Sequence, residues 1–422
     1  MISELKIRNF KSLESVDLKL GHFNLLVGAN ASGKSNFLDA LRFLQGVGNG
    51  FGIDEILDGK PASSTSLRWE GIRGGSSFVA FRRPDNSQAV QIEFHIHFSG
   101  QELPGTLGGE LTYNLTFSTK NDDPVFGEES LFCGDEILLN QNNKRFMIER
   151  AISPLTRDRI DASKFSALGC TSVIRSLAGP DPIIESMRYD EYPGTVGVQA
   201  KRFNYVTNAI ADMQFLDPFP AVLRKYSSRV ARLGEIGEGF AAMIHEIESN
   251  GSKPALLEWL KELRPDEVSD LFVLPGAVND FMAAIKEGDT IFPAPVISDG
   301  TLRFIALAAA FFQPSLPKVL VIEEIEKGLH PSRLRLLLEL MRSQSKRTGT
   351  QVFATTHSPT LLAWLTEEDR KTTFVCTRDA ESGATKMRSL AEVPRLEELV
   401  KEHYNLDELF EQGWIESVLH ES

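Results

Sequence analysis

The sequence predicts an α/β fold in which a central, mostly parallel sheet is flanked by helices. Three stretches carry that expectation. Phe23-Asn24-Leu25-Leu26-Val27 reads as a short buried strand, and after a glycine-rich turn the segment Asn36–Leu44 has apolar residues at helical spacing. Lys318-Val319-Leu320-Val321-Ile322 is a continuous apolar run that ends in two acids, Glu323 and Glu324. Such a run suits a parallel strand covered on both faces. Gln351-Val352-Phe353-Ala354-Thr355-Thr356 is a third strand, and it ends in the polar cluster His357-Ser358-Pro359.

The turn between the first strand and its helix is Gly28-Ala29-Asn30-Ala31-Ser32-Gly33-Lys34-Ser35, a full G-x-x-x-x-G-K-[ST] match. Strand, glycine loop and helix are the context in which this motif binds phosphates. Backbone N–H groups of the loop and the positive end of the following helix form an anion cradle. The expected nucleotide-binding residues are Gly28, Asn30, Ser32, Gly33, Lys34, Ser35 and Asn36, and the expected ligand is ATP. Lys34 would reach the β- and γ-phosphates, and the Ser35 hydroxyl would ligate Mg²⁺. This is the pattern of a P-loop NTPase.

Acids at the carboxyl end of a strand sit where open α/β sheets bind ligands. Glu323 is expected to hold Mg²⁺ through water, and Glu324 to polarise the attacking water as general base. Ser298 and Asp299 are good N-cap residues ahead of the helical run Leu302–Phe312, and Gly300 permits close backbone approach. The bare residues allow either a well-capped core helix or a second anion site at that helix N-terminus. His357 at its strand end is either structural or a hydrogen-bonding sensor of a γ-phosphate oxygen.

The remaining elements follow in order. Leu5-Lys6-Ile7-Arg8 and Val16–Leu20 alternate and suggest two strands leading into the phosphate loop. Glycines crowd residues 46–52 and end the first helix. From Phe78 to about Ile148 the pattern is β-like: Val90–Phe98 and Leu111–Phe117 alternate, with turns at Asp85-Asn86 and Gly105 to Gly109, giving a small antiparallel sheet. Residues 150–200 are irregular and contain Gly179-Pro180-Asp181-Pro182. From Ala200 to about Lys286 helices dominate, as in Phe240–Ile247 and Ala255–Leu260. Short strands and helices alternate over 296–365, and 366–422 read as a tail ending in an acidic helix. The expected domains are residues 1–150, an N-terminal half with the phosphate loop and an antiparallel β subdomain; 151–295, an inserted, mainly helical lobe; and 296–422, a C-terminal half.

Composition narrows the class. The chain has 422 residues, 42% hydrophobic and 24% charged, with a formal net charge of −13. That net charge repels phosphate backbones, so any nucleic-acid contact requires a local basic patch. Arg224, Lys225, Arg229 and Arg232 are candidates, the alternative being a solvated helix face. Cys133, Cys170 and Cys376 have neither metal-ligand spacing nor an even disulfide set and read as reduced, mostly buried thiols. The N-terminus lacks a signal-peptide core, and the longest apolar run, Phe304–Phe312, is too short to span a bilayer. A cytoplasmic protein without membrane contact is expected.

Taken in order, these stretches resemble the ABC-type ATPase heads of the RecF, SMC and overcoming-lysogenization-defect (OLD) group, within the AAA family ATPases. Ile7-Arg8-Asn9-Phe10-Lys11-Ser12 looks like that group's first strand and turn. Ile297–Thr301 is similar to the ABC signature, with Ser298 and Gly300 in matching positions. Glu324–Pro331 looks like the Walker B and D-loop run, and Thr356-His357-Ser358-Pro359 like the switch histidine. The sequence departs from the pattern at Glu323, where Asp is usual, at Ile325 in place of proline, and at Asp299 in place of the first signature glycine. Gln214 stands as the candidate for the glutamine loop. The resemblance implies Mg²⁺-dependent ATP hydrolysis with Glu324 and His357 catalytic, and a homodimer whose signature residues Ser298 and Gly300 act in trans. It further implies a role on DNA, in repair or recognition of foreign DNA, or alternatively an ATP-loaded scaffold for a separate effector, nuclease or toxin chain in phage defence. Long coiled-coil arms are missing, and the stretch after Leu365 is too short for a TOPRIM domain.

Overall fold

The computed structural model describes residues 1–61, 69–99, 110–119, 124–142, 145–147, 193–228, 232–263, 268–402 and 405–421. The expectations for Gly105 to Gly109, for Gly179–Pro182, and for Cys170 and Arg229 lie outside these residues. The chain divides into two compact units that interleave along the sequence. One comprises residues 1–21, 28–213 and 375–389, the other residues 22–27, 214–374 and 390–422.

In chain order the strands are β1 (Ile2–Phe10), β2 (Leu13–Lys19), β3 (Phe23–Val27), β4 (Gln91–Phe98), β5 (Leu111–Ser118), β6 (Val125–Cys133), β7 (Glu136–Asn142), β8 (Arg145–Met147), β9 (Met213–Leu216), β10 (Asp270–Pro275), β11 (Phe281–Glu287), β12 (Thr290–Pro293), β13 (Val319–Ile322), β14 (Gln351–Thr356), β15 (Thr373–Arg378) and β16 (Thr385–Ser389). The helices are α1 (Lys34–Gly48), α2 (Ile53–Asp58), α3 (Pro193–Ala211), α4 (Pro220–Leu223), α5 (Phe240–Ser249), α6 (Lys253–Leu263), α7 (Asp299–Ala309), α8 (Pro331–Thr348), α9 (Glu367–Lys371), α10 (Leu396–Lys401), α11 (Leu406–Glu411) and α12 (Trp414–Glu421).

The first unit is built on a seven-stranded antiparallel sheet in the order β2-β1-β4-β5-β6-β7-β8. The two strands ahead of the phosphate loop therefore belong to the same sheet as the β-like region that follows it. Alternation explains the sheet: in β4 and β5 every second residue is buried while those between are half-exposed or, at Gln91, exposed. The buried face carries an aromatic cluster. Phe43 of α1 stacks on Phe94 at 5.3 Å and on Phe117 at 4.7 Å between ring centroids, and Phe10 meets Phe94 edge-on at 5.6 Å. Helix α1 also lies against α3: the backbone N of Ala211 comes to 2.6 Å from where a Cβ on Gly48 would stand.

The second unit holds the parallel strands. β3 and β13 both pair with β14 in parallel register, Val27 opposite Thr356 and Ile322 opposite Ala354, and β9 continues the order beyond β13. All residues of β3, β13 and β14 are buried, as expected of strands covered on both faces. The carboxyl ends of the three strands lie on one edge, and the glycine loop begins one residue after Val27.

Two expectations need correction. The region that reads as helical up to Lys286 ends in an antiparallel sheet, β10-β11-β12. Phe281-Met282-Ala283-Ala284-Ile285-Lys286 has helix-forming composition, but Asn279 at φ 58° closes a hairpin that pairs it with β10, and cross-strand pairing overrides the local propensity. The stretch after Leu365 is more than a tail. It supplies β15 and β16, and within the second unit Leu25 N donates to Thr372 O at 3.0 Å just before β15 begins.

Phe43 anchors the aromatic cluster, so Phe43→Ala should destabilise the first unit by about 3–5 kcal/mol. Denaturant titration followed by tryptophan fluorescence and circular dichroism checks this; an unchanged midpoint would contradict the packing described.

Candidate functional site

The phosphate loop lies in the first unit. Its turn is possible because Ala31 (φ 64°) and Gly33 (φ 103°) adopt left-handed backbone. Gly33 has a second reason to be glycine, since a Cβ there would stand 1.9 Å from Thr385 Oγ1. Gly28 is held equally closely, with Cys376 O 2.3 Å from where its Cβ would be. Thr385 Oγ1 donates to Ser32 O at 3.1 Å and shares a 2.7 Å hydrogen bond with Ser12 Oγ, which in turn accepts from Asn36 Nδ2 at 2.6 Å. Lys34 is buried, and its Nζ donates to the carbonyls of Gly28 (2.6 Å) and Ala29 (2.8 Å). Asn30 and Ser35 are exposed. The structure thus gathers Gly28, Asn30, Ser32, Gly33, Lys34, Ser35 and Asn36 around one turn, whose N–H groups open the first turn of α1.

Beside the loop lies an open cavity of about 660 Å³ within the same unit, a size in the usual range for small-molecule sites. Lys11, Arg73, Arg82, Arg83 and Arg378 contribute cations to its wall, and Glu381 is the acid there. Asp39, buried on α1, pairs with Lys11 and with Arg73 Nε (3.1 Å), and Arg73 Nη2 also donates to Ser35 O at 2.7 Å. Burial pulls the Lys11 ammonium below its ordinary pKa, with the Asp39 carboxylate opposing that shift. Sequence reasoning missed these basic residues. The available signal was Asp39 itself, a charge inside an otherwise apolar helix face.

The acidic turn lies in the second unit. After β13 the backbone turns sharply at Glu324, whose φ is 47°. Glu324 N donates to Thr355 Oγ1 (2.9 Å) and Ile325 N to Thr355 O (3.1 Å), so β14 clamps the turn. From the other side Arg303, 2% exposed on α7, donates through Nη2 to the carbonyls of both Glu323 and Glu324 at 3.2 Å. Its Nη1 binds Asp217 and Pro218 O, each at 2.7 Å. Burial raises the Asp217 pKa, but hydrogen bonds from Lys327 and Arg303 outweigh it and hold the carboxyl below the usual range. Arg303 was also missed, though a single cation in the apolar run Leu302–Phe312 was a visible sign.

The same unit places Ser298 as the N-cap of α7, its Oγ accepting from Thr301 N at 3.2 Å and sharing a 2.8 Å hydrogen bond with Thr301 Oγ1. Gly300 is required by the chain's own packing, because a Cβ would stand 2.6 Å from Gly328 O. His357 follows β14 and lies against Glu326. Gln214 is buried and occupied internally: its Nε2 donates to Leu233 O (2.7 Å), and its Oε1 accepts from Gln313 Nε2 (2.6 Å). Among the described candidates, Arg224, Lys225 and Arg232 lie beyond α4, which ends at Leu223, and outside any helix. Arg224 binds Asp299 and Ile297 O, and Arg232 binds the Ser315 and Leu316 carbonyls, while Lys225 is exposed. Two of the four proposed phosphate contacts are therefore committed within the chain.

The model of the "AAA ATPase domain" family matches residues 1–92. That of the family "AAA domain, putative AbiEii toxin, Type IV TA system" matches residues 194–363. A Helicobacter pylori protein named "ATP/GTP phosphatase" is 23% identical over 385 residues, covering 89% of this chain and 90% of its own length. Models of two AAA-type ATPase families thus match two separate stretches of the chain. RecF of Nitrosococcus oceani is 40% identical over 68 residues, 16% of this chain and 18% of its own length. The SMC head domain from Thermotoga maritima aligns with 92% of this chain and 98% of its own at 14% identity, with a TM-score of 0.46. Among the described residues, no helix is long and apolar enough to cross a membrane.

Cys376 is fully buried, and burial pushes its thiol up to about 12, with Lys34 opposing that shift. The group stays uncharged at neutral pH and is shielded from solvent. In the folded protein at pH 8, Cys376 should resist maleimide labelling that goes to completion in denaturant. Peptide mapping of the labelled protein checks this, and rapid native labelling would contradict the burial.

Proposed function

We propose that this chain binds ATP through the glycine loop, hydrolyses it with Mg²⁺, and uses the nucleotide to join two copies head to head. One observation carries the reading: the loop turns through left-handed Ala31 and Gly33 into α1, with Lys34 Nζ seated on the loop's own carbonyls. Those short contacts are ones that a phosphate can replace, so Lys34 can move to the β- and γ-phosphates and offset their charge. The ordered N–H groups at the start of α1 suit an anion, and the basic cavity beside the loop leaves room for the rest of a nucleotide. The H. pylori relative bears the name of a nucleotide phosphatase.

Hydrolysis requires a base and a cation. Glu324 is proposed as the base that takes a proton from the attacking water. Its backbone sits in a turn that Thr355 and Arg303 hold on both sides, which fixes the point from which the side chain extends. Ser35 and Glu323 carry hard oxygen donors of the kind Mg²⁺ takes and are proposed to hold the ion, which would offset the charge developing on the phosphates. His357 is proposed to hydrogen-bond a γ-phosphate oxygen. A γ-phosphate needs charge compensation on its far side as well. Exposed Ser298, at the opening of α7, is proposed to serve the nucleotide of a second copy.

The output proposed for this switch is action on DNA, supported by the partial match to RecF. The second reading is an ATP-loaded scaffold that restrains a separate effector. The matched family's description, which names a toxin and a toxin–antitoxin system, favours it. Binding to duplex DNA that weakens steeply with added salt would support the first. Co-purification of a small partner from native cells, lost in Lys34→Ala, would support the second.

Glu324→Gln should bind ATP yet hydrolyse it at least about a hundredfold more slowly, because the amide cannot accept the water's proton. With ATP and Mg²⁺ it should accumulate as a dimer in light scattering. A variant that remains monomeric with ATP bound argues against nucleotide-driven dimerisation.

The trans assignment has its own test. Ser298→Arg should bind ATP as a monomer but not hydrolyse it, and Lys34→Ala should not bind at all. An equal mixture of these inactive proteins gives mixed dimers with one whole site, about one quarter of all sites under random pairing. Partial recovery of ATPase activity is expected. No recovery, or Ser298→Arg that fails to bind ATP, would remove the trans role.

A further inference from the structure

Glu326 stands two residues beyond the proposed base and is absent from the roles assigned so far. Its side chain lies beneath the end of β14. Oε1 accepts a 2.8 Å hydrogen bond from the backbone N of His357 and lies 3.2 Å from Nδ1 of the same residue. Oε2 is buried and has no hydrogen-bond partner among the described residues. Glu326 itself is tied into the D-loop turn, with Leu329 N donating to its carbonyl at 2.9 Å. The His357 ring is otherwise open to solvent, 42% exposed. Leaving a carboxylate oxygen buried and unpartnered costs free energy, and such groups persist where they perform another task.

We propose that Glu326 is a positioning residue for His357. A carboxylate only accepts, so the nitrogen facing it, Nδ1, carries the proton, and the ring presents Nε2 outward. The second contact, from the His357 backbone, fixes where the ring starts as well as how it turns. A phosphate oxygen is also only an acceptor. With Nδ1–H committed to Glu326, the ring can donate from Nε2 only as the doubly protonated imidazolium. Engagement of a γ-phosphate therefore takes up one proton at Nε2, and departure of the phosphate returns it to solvent. The imidazolium so formed lies between two anions, Glu326 behind and the phosphate in front, and each hydrogen bond is charge-assisted. The first half, the tautomer, stands on the geometry alone. The second half rests on the proposed contact of His357 with the γ-phosphate.

Histidine-selective ¹⁵N labelling separates the two halves, the His357 signal being assigned by its loss in His357→Gln. Without nucleotide, with the ring singly protonated, His357 should be the Nδ1–H tautomer in the otherwise unchanged protein and in Glu326→Gln, which keeps an acceptor oxygen. It should change tautomer in Glu326→Leu. With ATP and Mg²⁺ bound to Glu324→Gln, both ring nitrogens should be protonated, and adding Glu326→Gln should abolish that. As a single change, Glu326→Gln should lower kcat about tenfold, an energy difference of about 1.4 kcal/mol, with KM for ATP little altered. An Nε2–H tautomer in the free protein, or one indifferent to Glu326→Leu, overturns the positioning role. An Nδ1–H tautomer that ATP leaves singly protonated overturns the phosphate half and leaves the tautomer half standing. Failure of Glu324→Gln to bind ATP is seen separately by titration and counts against the proposed function, while the nucleotide-free comparison still decides the role of Glu326.

Discussion

The phosphate loop can exist only because two of its residues have no side chain. At Gly28 the backbone meets the carbonyl of Cys376, and at Gly33 it meets the hydroxyl of Thr385, each closer than a Cβ could tolerate. Both neighbours come from the last quarter of the sequence, on β15 and β16. The loop is therefore set by contacts more than 340 residues away in the chain as well as by its own turn, as the 353-residue separation between Thr385 and Ser32 illustrates. The Thr385–Ser12–Asn36 hydrogen bonds extend this clamp to the β1–β2 turn and the first turn of α1. Strands β15 and β16 and the β1–β2 turn thus hold one short loop in place.

A second constraint governs the acidic turn. Left-handed backbone at a glutamate is unfavourable and persists only where surroundings over-determine it. Thr355 supplies that from β14 and Arg303 from α7. A buried guanidinium costs desolvation unless its donors are used. Arg303 uses Nη1 and Nη2 on Asp217 and on three backbone carbonyls, those of Pro218, Glu323 and Glu324. The helix opened by Ser298 is consequently joined to the turn that bears Glu324 through the Arg303 side chain.

Charge is distributed in the opposite sense to the whole molecule. The chain is acidic, at −13, yet the cavity beside the phosphate loop gathers Lys11, Arg73, Arg82, Arg83 and Arg378. An acidic surface with a basic recess focuses anionic ligands into that recess. Asp39 keeps two of those cations in place. The basic residues that the linear sequence suggested for nucleic acid, Arg224 and Arg232, instead stitch loops of the second unit together.

The sequence by itself determined the local chemistry. The order of residues 28–35 dictated a strand–loop–helix phosphate cradle, because glycine and lysine spacing encodes backbone conformation and charge at short range. The continuous apolar run at 319–322 dictated a parallel strand covered on both faces, and Ser298 announced its helix by capping it. What only the tertiary structure decided depends on partners far apart in sequence. Helical composition at 281–286 gave way to a strand because β10 was there to pair with it, and the stretch after Leu365 became two strands because other strands offered free edges. Thr385 at Gly33, Arg303 under the acidic turn and Glu326 behind His357 are contacts across tens to hundreds of residues. No periodicity records them, since each is a meeting of surfaces that exists only once the chain has folded.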